Sequence, residues 1–208
     1  MRKLLLSTAM MFAMCTANVC AQDVVLPQPK KDAKMTLMES LQQRKSVREF
    51  SKKEIDDQTL SDLLWAACGV NRPEEKMITA PSAMNKQDIK VYVLKSSGVW
   101  LYMPIEHKLK KISDENLIST LAGRQVSVAD APVFLMLVSD QTGSERLDTN
   151  LGNIDAGYVS QNICLACTAL GLATVPRGAR DRDILNKALG LNDRQLIVLN
   201  HPIGYPVN

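Results

Sequence analysis

Apolar residues recur at helical spacing in two stretches of the chain. The apolar side chains at positions 60, 63, 64 and 67 follow the i, i+3, i+4, i+7 pattern of one helix face, which predicts a helix over residues 56–68. A longer apolar run closed by Gly171 predicts a principal helix over residues 150–170. Three shorter helices are predicted over residues 36–44, from Ser113 or Asp114 to Gly123, and over residues 181–189.

Between these helices lie runs of β-branched and aromatic residues that predict strands. Residues 89–94 and 99–103 are expected to pair as a hairpin across Ser97 and Gly98, and the unbroken apolar run 133–138 predicts a central strand buried on both faces. An extended segment over residues 172–177 and a last strand over residues 195–203 follow. Because helices and strands are mixed without regular βαβ alternation, the sequence predicts an α+β fold.

The first 21 residues have the pattern of a secretory signal peptide. A basic start, an apolar run over residues 4–15 and small side chains before Gln22 predict cleavage between Ala21 and Gln22. The protein is therefore expected to be exported, to the periplasm in a Gram-negative cell, without a membrane anchor. Residues 22–34, with two prolines and several charges, are expected to be a flexible lead-in to one domain over residues 35–208.

Charge and composition exclude several classes of protein. The formal net charge of +3 becomes nearly neutral once the basic start of the signal is removed, so nucleic acid is not an expected partner. His107 and His201 are the two histidines, and neither has the spacing of a metal ligand. We expect no metal site, with His107 on the surface and His201 at a strand end. Nucleophile-elbow, Walker and Rossmann patterns are also missing, which favours a binding protein or an enzyme whose cofactor is the reactive group.

Three cysteines remain in the mature chain. Cys164 and Cys167 form a C-x-x-C pair, which in an exported protein is compatible with redox chemistry. Both lie in an apolar helical run that no strand-to-helix junction precedes, and this favours small buried side chains instead.

The basic segment at the end of the first predicted helix is the first candidate for a binding site. Thr36 and Glu39 have the spacing of a capping box, and the helix carries an apolar face of Leu37, Met38 and Leu41. It ends in Arg44, Lys45, Ser46, Val47 and Arg48, where two guanidinium forks, an ammonium and a hydroxyl suit a phosphate group. The alternative is a solvated basic helix end.

Two further stretches complete a site if the phosphate belongs to flavin mononucleotide. The 81–87 loop offers amide and hydroxyl groups for the polar edge and ribityl chain of the flavin, and the 175–178 turn offers backbone N–H groups for its reactive nitrogen. The cofactor-binding residues predicted in this way are Arg44, Lys45, Ser46, Arg48, Pro81, Ser82, Ala83, Asn85, Gln87, Pro176, Arg177 and Gly178.

Five motifs in order make the chain resemble the nitroreductase family. They are the R-x-S-x-R-like segment 44–48, the P-S-x-x-N-x-Q loop 81–87, the D-x-G start of the long helix at residues 155–157, the G-L-x-T-V stretch 171–175, and Gly-Tyr-Pro at residues 204–206. The resemblance implies an α+β fold with a four- or five-stranded mixed or antiparallel sheet flanked by helices. It also implies a homodimer with the long helix at its interface and two FMN sites that draw residues from both subunits.

The resemblance further implies FMN-dependent, ping-pong hydride transfer from NAD(P)H to a small oxidised organic substrate such as a nitroaromatic or quinone. No catalytic side chain is expected, because flavin N5 is the reactive atom. A flavin-dependent dehydrogenase of a small substrate and a non-catalytic flavin- or nucleotide-binding protein remain alternatives. Because NAD(P)H is a cytoplasmic cofactor, export weakens the expectation of NAD(P)H as donor more than it weakens the expectation of a flavin.

The chain departs from the family pattern at several positions. Arg177 stands where an acidic residue is common, and a cation beside the ring is expected to raise the flavin potential or to recruit an anionic substrate. Asp88 stands where proline often follows the glutamine of the loop. The basic residue that often follows Gly-Tyr-Pro is missing, so either Arg44, Lys45 and Arg48 are expected to do more of the phosphate binding, or Arg180 or Arg182 is expected to help.

Overall fold

The computed structural model describes residues 22–178 and 182–207, and these form an eight-stranded sheet with helices on both faces. The strands are β1 Val24–Val25, β2 Val70–Arg72, β3 Met77–Ile78, β4 Ile89–Lys95, β5 Gly98–Met103, β6 Lys108–Ser113, β7 Val133–Asp140, β8 Ala173–Thr174, β9 Arg177–Gly178 and β10 Gln195–Gly204. The helices are α1 Leu37–Gln43, α2 Asp57–Cys68, α3 Ile118–Ala122, α4 Thr149–Ala169 and α5 Arg182–Leu189, with 3₁₀ turns at Ala83–Asn85 and Val126–Asp130.

The strand order of the sheet is β1-β6-β5-β4-β7-β10-β8, with β9 also paired to β10. Neighbouring strands pair antiparallel. β2 and β3 form a separate hairpin. The predicted α+β class is confirmed, although the sheet has more strands than the four or five that the resemblance implied.

Strand β7 divides the molecule into two hydrophobic cores. Its alternate residues Val133, Leu135 and Leu137 pack with the apolar faces of α2 and α4. Phe134, Met136 and Val138, which alternate with them, pack with α3 and α5 on the other face. Because side chains alternate across a strand, a strand with helices on both sides must be apolar throughout, as predicted for this run. Full burial of each of these side chains stabilises the fold by about 1.5–3 kcal/mol.

The two long helices begin at acidic N-caps. The Asp56 carboxylate accepts a hydrogen bond from the Thr59 N–H at 2.8 Å and starts α2. The Asp148 carboxylate accepts from the N–H groups of Asn150 and Leu151 and starts α4. Gly152 lets α4 approach β7 closely, because a Cβ there would lie 2.4 Å from Ser139 Oγ. The predicted cap of α5, Asp181, lies outside the described residues.

The lead-in predicted to be flexible is part of the domain. Residues 22–31, which we call the N-terminal arm, place β1 beside β6, and Leu26 is only 3% exposed in the core. The Gln22 carbonyl accepts from the Trp100 indole N–H at 3.1 Å, and the Asp23 carboxylate accepts from the Lys111 N–H at 2.8 Å. The signal peptide predicted over residues 1–21 lies outside the described residues.

Two segments differ from the predicted secondary structure. Residues 108–113 form β6, and the following helix begins at Ile118 instead of at Ser113 or Asp114, because Ser113 is paired with Val99 in the sheet. The lysines of β6 interrupt the apolar pattern by which a strand is recognised in the sequence. One of them, Lys111, places its Nζ 3.9 Å from the centre of the Trp100 ring, a cation–π contact. The polar loop expected after α2 contains the β2–β3 hairpin.

Both histidines are buried, contrary to the predicted positions. His107 joins the N-terminal arm to the sheet, with its Nε2 2.7 Å from Ser61 Oγ and 3.1 Å from the Pro27 carbonyl, and its Nδ1 2.9 Å from the Tyr102 hydroxyl. His201 lies inside β10, fully buried. Burial lowers the pKa of both rings, so both are neutral near pH 7.

No helix within residues 22–178 and 182–207 is long and apolar enough to cross a membrane.

Candidate functional site

The basic segment 44–48 runs beside the end of the central sheet. Arg44 is the C-cap of α1 and turns the chain into an extended conformation, with ψ of 123°. The Val47 N–H donates to the Thr174 carbonyl of β8 at 3.0 Å, and Phe50 bridges to Pro206. These backbone contacts fix the segment while its polar side chains point outward. The exposed side chains are those of Arg44, Lys45, Ser46 and Arg48.

The cations of this segment have no acidic partner within the described parts of the chain. The ion pairs there join Lys52 to Asp130, Arg72 to Glu75 and Lys111 to Asp114. Arg44 lies near the Cys164 thiol of α4, since its charge acts to lower the pKa of that thiol against the larger raising effect of burial. Uncompensated exposed cations on a fixed backbone suit an anionic ligand.

The 176–178 turn lies beside Arg48. A cleft of about 200 Å³ is lined by Arg48, Gln125 and residues 175–178. The turn is held by β9, whose residues pair with Leu199 and Asn200 of β10. The structure therefore brings together two of the three predicted stretches, from positions far apart in the sequence.

Arg177 has a role that the sequence did not indicate. Its Nη2 donates to the Ala122 carbonyl at the end of α3 at 2.8 Å, and its Nη1 donates to Asn200 Oδ1 at 3.3 Å. The guanidinium thus ties α3 to β10 and is half-buried. Arg177 also lines the cleft of Arg48, so its expected place beside a flavin ring stays a prediction.

The 81–87 loop has a strained backbone. Met84, Asn85 and Gln87 have positive φ angles of 53°, 51° and 48°, a region that side chains other than glycine rarely adopt. The loop is held by hydrogen bonds from the Gln87 N–H to Ser82 Oγ at 2.9 Å and from Gln87 Nε2 to the Lys76 carbonyl at 3.0 Å. Such strain persists only where the surroundings impose it, and it is typical of binding loops.

A buried carboxyl on α4 holds the start of this loop. The Ala83 N–H donates to the Asp155 carboxyl, 3.1 Å from Oδ1 and 3.0 Å from Oδ2. Burial raises the pKa of Asp155, the Ala83 hydrogen bond opposes this, and the charge of Asp88 raises the pKa further. The loop and the long helix are therefore coupled through one side chain.

The loop and the basic segment line different clefts in one subunit. Asn85 and Gln87 face a groove of about 520 Å³ next to β4 and β5, and Met84 faces another of about 510 Å³ beside residues 143–146. None of residues 81–87 lines the cleft of Arg48 and the turn. The twelve predicted residues therefore form two groups, 44–48 with 176–178 and 81–87 by itself.

Helices α1 and α4 carry exposed apolar side chains. We call them the α1–α4 face, made of Leu37, Met38, Leu41, Ile154 and Tyr158. The apolar face predicted for α1 is exposed, and among the α1 residues it is Ser40 that is buried. An exposed apolar patch of this kind typically marks an interaction surface.

The C-x-x-C pair lies inside the protein. Cys164 and Cys167 are buried free thiols on α4, and burial raises the pKa of both. A buried thiol that stays protonated is a poor nucleophile, so the interpretation of these residues as small core side chains agrees with their positions.

Sequence reasoning missed three residues near the two groups. Gln125 lies in a 3₁₀ connection that carries no motif. Asp155 was part of the D-x-G pattern without a role, and Asp88 was noted as a departure only. The signal that could have found them is the position of two acidic residues in otherwise apolar elements, since buried carboxyls need partners.

The model of the Nitroreductase family matches residues 41–205. The chain is 30% identical over 181 residues to the "Putative nitroreductase" of Methanocaldococcus jannaschii, which covers 81% of this chain and 90% of the relative. It is 27% identical over 159 residues to a Bacillus subtilis protein named FMN reductase, NAD(P)H, and spans 54% of that protein's length.

The fold agrees with solved structures. One is a 2.00 Å crystal structure of a Ralstonia eutropha protein described as a "putative nitroreductase". It superposes with a TM-score of 0.84 at 32% identity, and the match covers 90% of each chain. The family model, the relatives and the fold all indicate the same family. The chain belongs to the nitroreductase family.

Proposed function

We propose that this flavin oxidoreductase uses FMN to move electrons from NAD(P)H or another donor to a small oxidised organic compound, such as a nitroaromatic or a quinone. The observation that carries the proposal is the cleft in which Arg48 meets the 176–178 turn. An exposed cationic segment beside this turn fits a phosphorylated cofactor with a polar ring edge. The name of the Bacillus subtilis relative supports both FMN and NAD(P)H.

The residues of the basic segment hold the phosphate in this proposal. Arg44 and Arg48 supply bidentate guanidinium donors, and Lys45 and Ser46 add an ammonium and a hydroxyl. Arg182, at the start of α5, is exposed and is a further candidate to bind the phosphate. Arg180 lies outside the described residues. The chain's own groups bind and orient, and FMN supplies two-electron hydride chemistry at its N5 atom.

The division of the predicted residues into two groups is explained if the protein is a homodimer. The 81–87 loop of one subunit then completes the site formed by the basic segment and the turn of the other. The α1–α4 face supports this arrangement, because it is exposed, apolar and carried by the same helix whose Asp155 holds the loop. Docking of α4 on its counterpart brings both loops towards the partner's cleft.

Export remains part of the proposal. If residues 1–21 are removed on the way to the periplasm, the protein either is exported with FMN already bound or binds FMN after translocation. Its electron donor in that compartment is then a reduced carrier other than free NAD(P)H.

The test is cofactor retention by the mature protein. Purified protein is incubated with FMN, desalted and examined by absorbance, and we expect about one flavin per subunit. An Arg44→Ala/Arg48→Ala variant removes at least two charge-assisted hydrogen bonds, so its FMN affinity should fall by at least about 100-fold. The matched control is Arg72→Ala/Lys110→Ala, which removes two exposed cations from β2 and β6 and should bind FMN as the wild type does.

Stopped-flow measurement then separates catalysis from simple binding. Loss of flavin absorbance on mixing with NADPH, followed by its return with a nitroaromatic or quinone, supports the oxidoreductase. A protein that stays colourless after incubation with FMN contradicts the proposal, and a bound flavin that no donor reduces indicates a non-catalytic flavoprotein.

A further inference from the structure

Asp88 has a buried oxygen with no hydrogen bond. Its carboxylate is 5% exposed, and its Oδ2 accepts from the Ser139 hydroxyl at 2.7 Å. Within residues 22–178 and 182–207 no donor reaches its Oδ1. A buried acceptor left without a donor typically costs about 1–3 kcal/mol, and more if it is charged. The position therefore calls for a donor that neighbouring N–H and O–H groups do not supply.

The missing donor is available from a second carboxyl. Asp155 is 3% exposed and lies on α4 three residues after Gly152, which packs against the same Ser139 hydroxyl that donates to Asp88. Its carboxyl also receives the Ala83 N–H, and Asp88 acts to raise its pKa. Two ionised carboxylates in contact repel each other, and one of them keeps its proton when both are buried. A carboxylic acid O–H on Asp155 would satisfy Asp88 Oδ1 and leave an oxygen of Asp155 free to accept from Ala83.

The surroundings do not supply a cation that would replace this proton. On the loop, Lys86 is exposed, although its charge acts to lower the pKa of Asp155. On β7, the Asp140 carboxylate is engaged by Thr142 and Gln195. The described residues contain no group of three His, Cys, Asp or Glu side chains suited to a metal ion. The groove beside residues 143–146 is also lined by Glu145 and Arg146, both exposed. Lys90 lines the other groove, and its Nζ donates to the Gln87 carbonyl.

We propose that Asp155 and Asp88 share one proton, with the Asp155 O–H donating to Asp88 Oδ1, and that this proton positions the 81–87 loop. Asp88 is thus a positioning residue, which acts on the loop through Asp155. The part that concerns FMN rests on the proposed function, whereas the shared proton does not. Gly152 permits the arrangement, because it leaves room for Ser139 and Gln141 between α4 and β7.

The pair gives the loop a defined response to pH. The raised pKa of Asp155 means that the folded protein holds a proton which the unfolded chain has lost, so the free energy of unfolding decreases as pH rises from the ordinary range of an aspartate to the folded value. Above that value two charges face each other under the loop, and the Ala83 anchor is disturbed. FMN affinity should then fall by at most about tenfold for each pH unit, the limit for one proton.

The first test uses the protein without cofactor. The ¹H–¹⁵N signal of the Ala83 amide and the ¹³C signals of the aspartate carboxyls are followed between about pH 4 and pH 9. We expect Ala83 to titrate together with one carboxyl at a pH above the ordinary aspartate range. In Asp88→Asn the new amide N–H donates permanently to Asp155, while the amide oxygen still accepts from Ser139. This variant should move the Ala83 titration to lower pH.

The second test measures FMN affinity by fluorescence at the same pH values. The ratio of the wild-type Kd to that of Asp88→Asn should rise with pH. Taking this ratio also cancels the effect of the titration of the FMN phosphate, which is the same for both proteins. An Ala83 signal that does not titrate, or that titrates identically in Asp88→Asn, overturns the shared proton. Failure of the wild type to bind FMN at any pH overturns the proposed function alone, because the amide titration is read without FMN.

Discussion

His201 is a residue whose burial makes a quantitative prediction. Its Nε2 lies 2.9 Å from Ser160 Oγ and its Nδ1 lies 3.2 Å from Thr174 Oγ1, and burial lowers its pKa to about 3. The unfolded chain binds a proton at this residue below about pH 6.5, whereas the folded protein does not. The free energy of unfolding should therefore fall by about 2 kcal/mol from this residue alone between about pH 7 and pH 5.

Denaturant unfolding at several pH values checks this prediction. His201→Gln keeps a polar side chain near Ser160 and Thr174 but cannot be protonated. The variant is expected to be less stable at neutral pH and to lose less stability on acidification than the wild type does. Equal slopes in the two proteins would mean that His201 is protonated in the fold.

Single residues were the least predictable level of this molecule. Neither the burial of His107 nor the hydrogen bonds of Arg177 follow from neighbouring sequence, because their partners lie on distant elements. Ser61 and Tyr102, for example, meet at His107 only once α2 packs on the sheet. The side chains of the basic segment are exposed, as both interpretations of its sequence require, and its role in phosphate binding stays a prediction.

At the level of elements, the 81–87 loop carries strain that can be relieved. Met84 is 75% exposed and has a φ of 53°, so its side chain contributes little packing while its backbone is costly. Met84→Gly should stabilise the protein by up to about 1 kcal/mol, since glycine adopts this conformation readily. If the strain prepares the loop for a ligand, the same change should weaken FMN binding.

Thermal unfolding and FMN titration of the variant provide the two readouts. Ile105→Gly is the control, because Ile105 is similarly exposed and has no positive φ. This control should be destabilised or unchanged. A Met84→Gly protein less stable than the wild type would contradict the assignment of strain.

The elements with strong periodicity were predicted, and those that depend on distant pairing were not. α2, α4 and β7 were recognised because each buries a face or both faces in a pattern that the sequence displays. β6 and β1 were missed because their residues are charged or few, and their conformation comes from pairing with each other and with β5. Propensity is weak at such edges, where tertiary context decides.

At the scale of the whole molecule, the α1–α4 face predicts the oligomeric state. Ile154 on this face is 51% exposed, and a charge placed there would be buried without a partner in a dimer. Ile154→Glu should shift the protein from dimer to monomer in sedimentation experiments and should lose FMN at the same time, because each site is proposed to draw on both subunits.

Ile184→Glu is the matched control for this change. Ile184 is 57% exposed on α5, which packs on the opposite side of the sheet from α4. This variant should remain dimeric and retain the flavin. A dimer that survives Ile154→Glu unchanged would remove the explanation given for the two separate groups of predicted residues.

The candidate site was only partly predictable for the same reason. Motif spacing identified both groups of residues, but it could not show that the loop lies apart from the basic segment in one subunit. That separation depends on how α4 crosses the sheet and on the Asp155 contact with Ala83. Sequence order does not record how these elements pack against one another.

The N-terminal arm sets a limit on how far the chain can be shortened. A segment with two prolines ahead of the first helix is an obvious piece to trim, yet trimming it would strip β6 of its neighbour β1 and remove Leu26 from the core. The bared strand would offer a row of open N–H and C=O groups, which is a template for edge-to-edge polymerisation. The arm therefore serves as a protective cover for the sheet, and a shortened protein would be lost to aggregation rather than to unfolding.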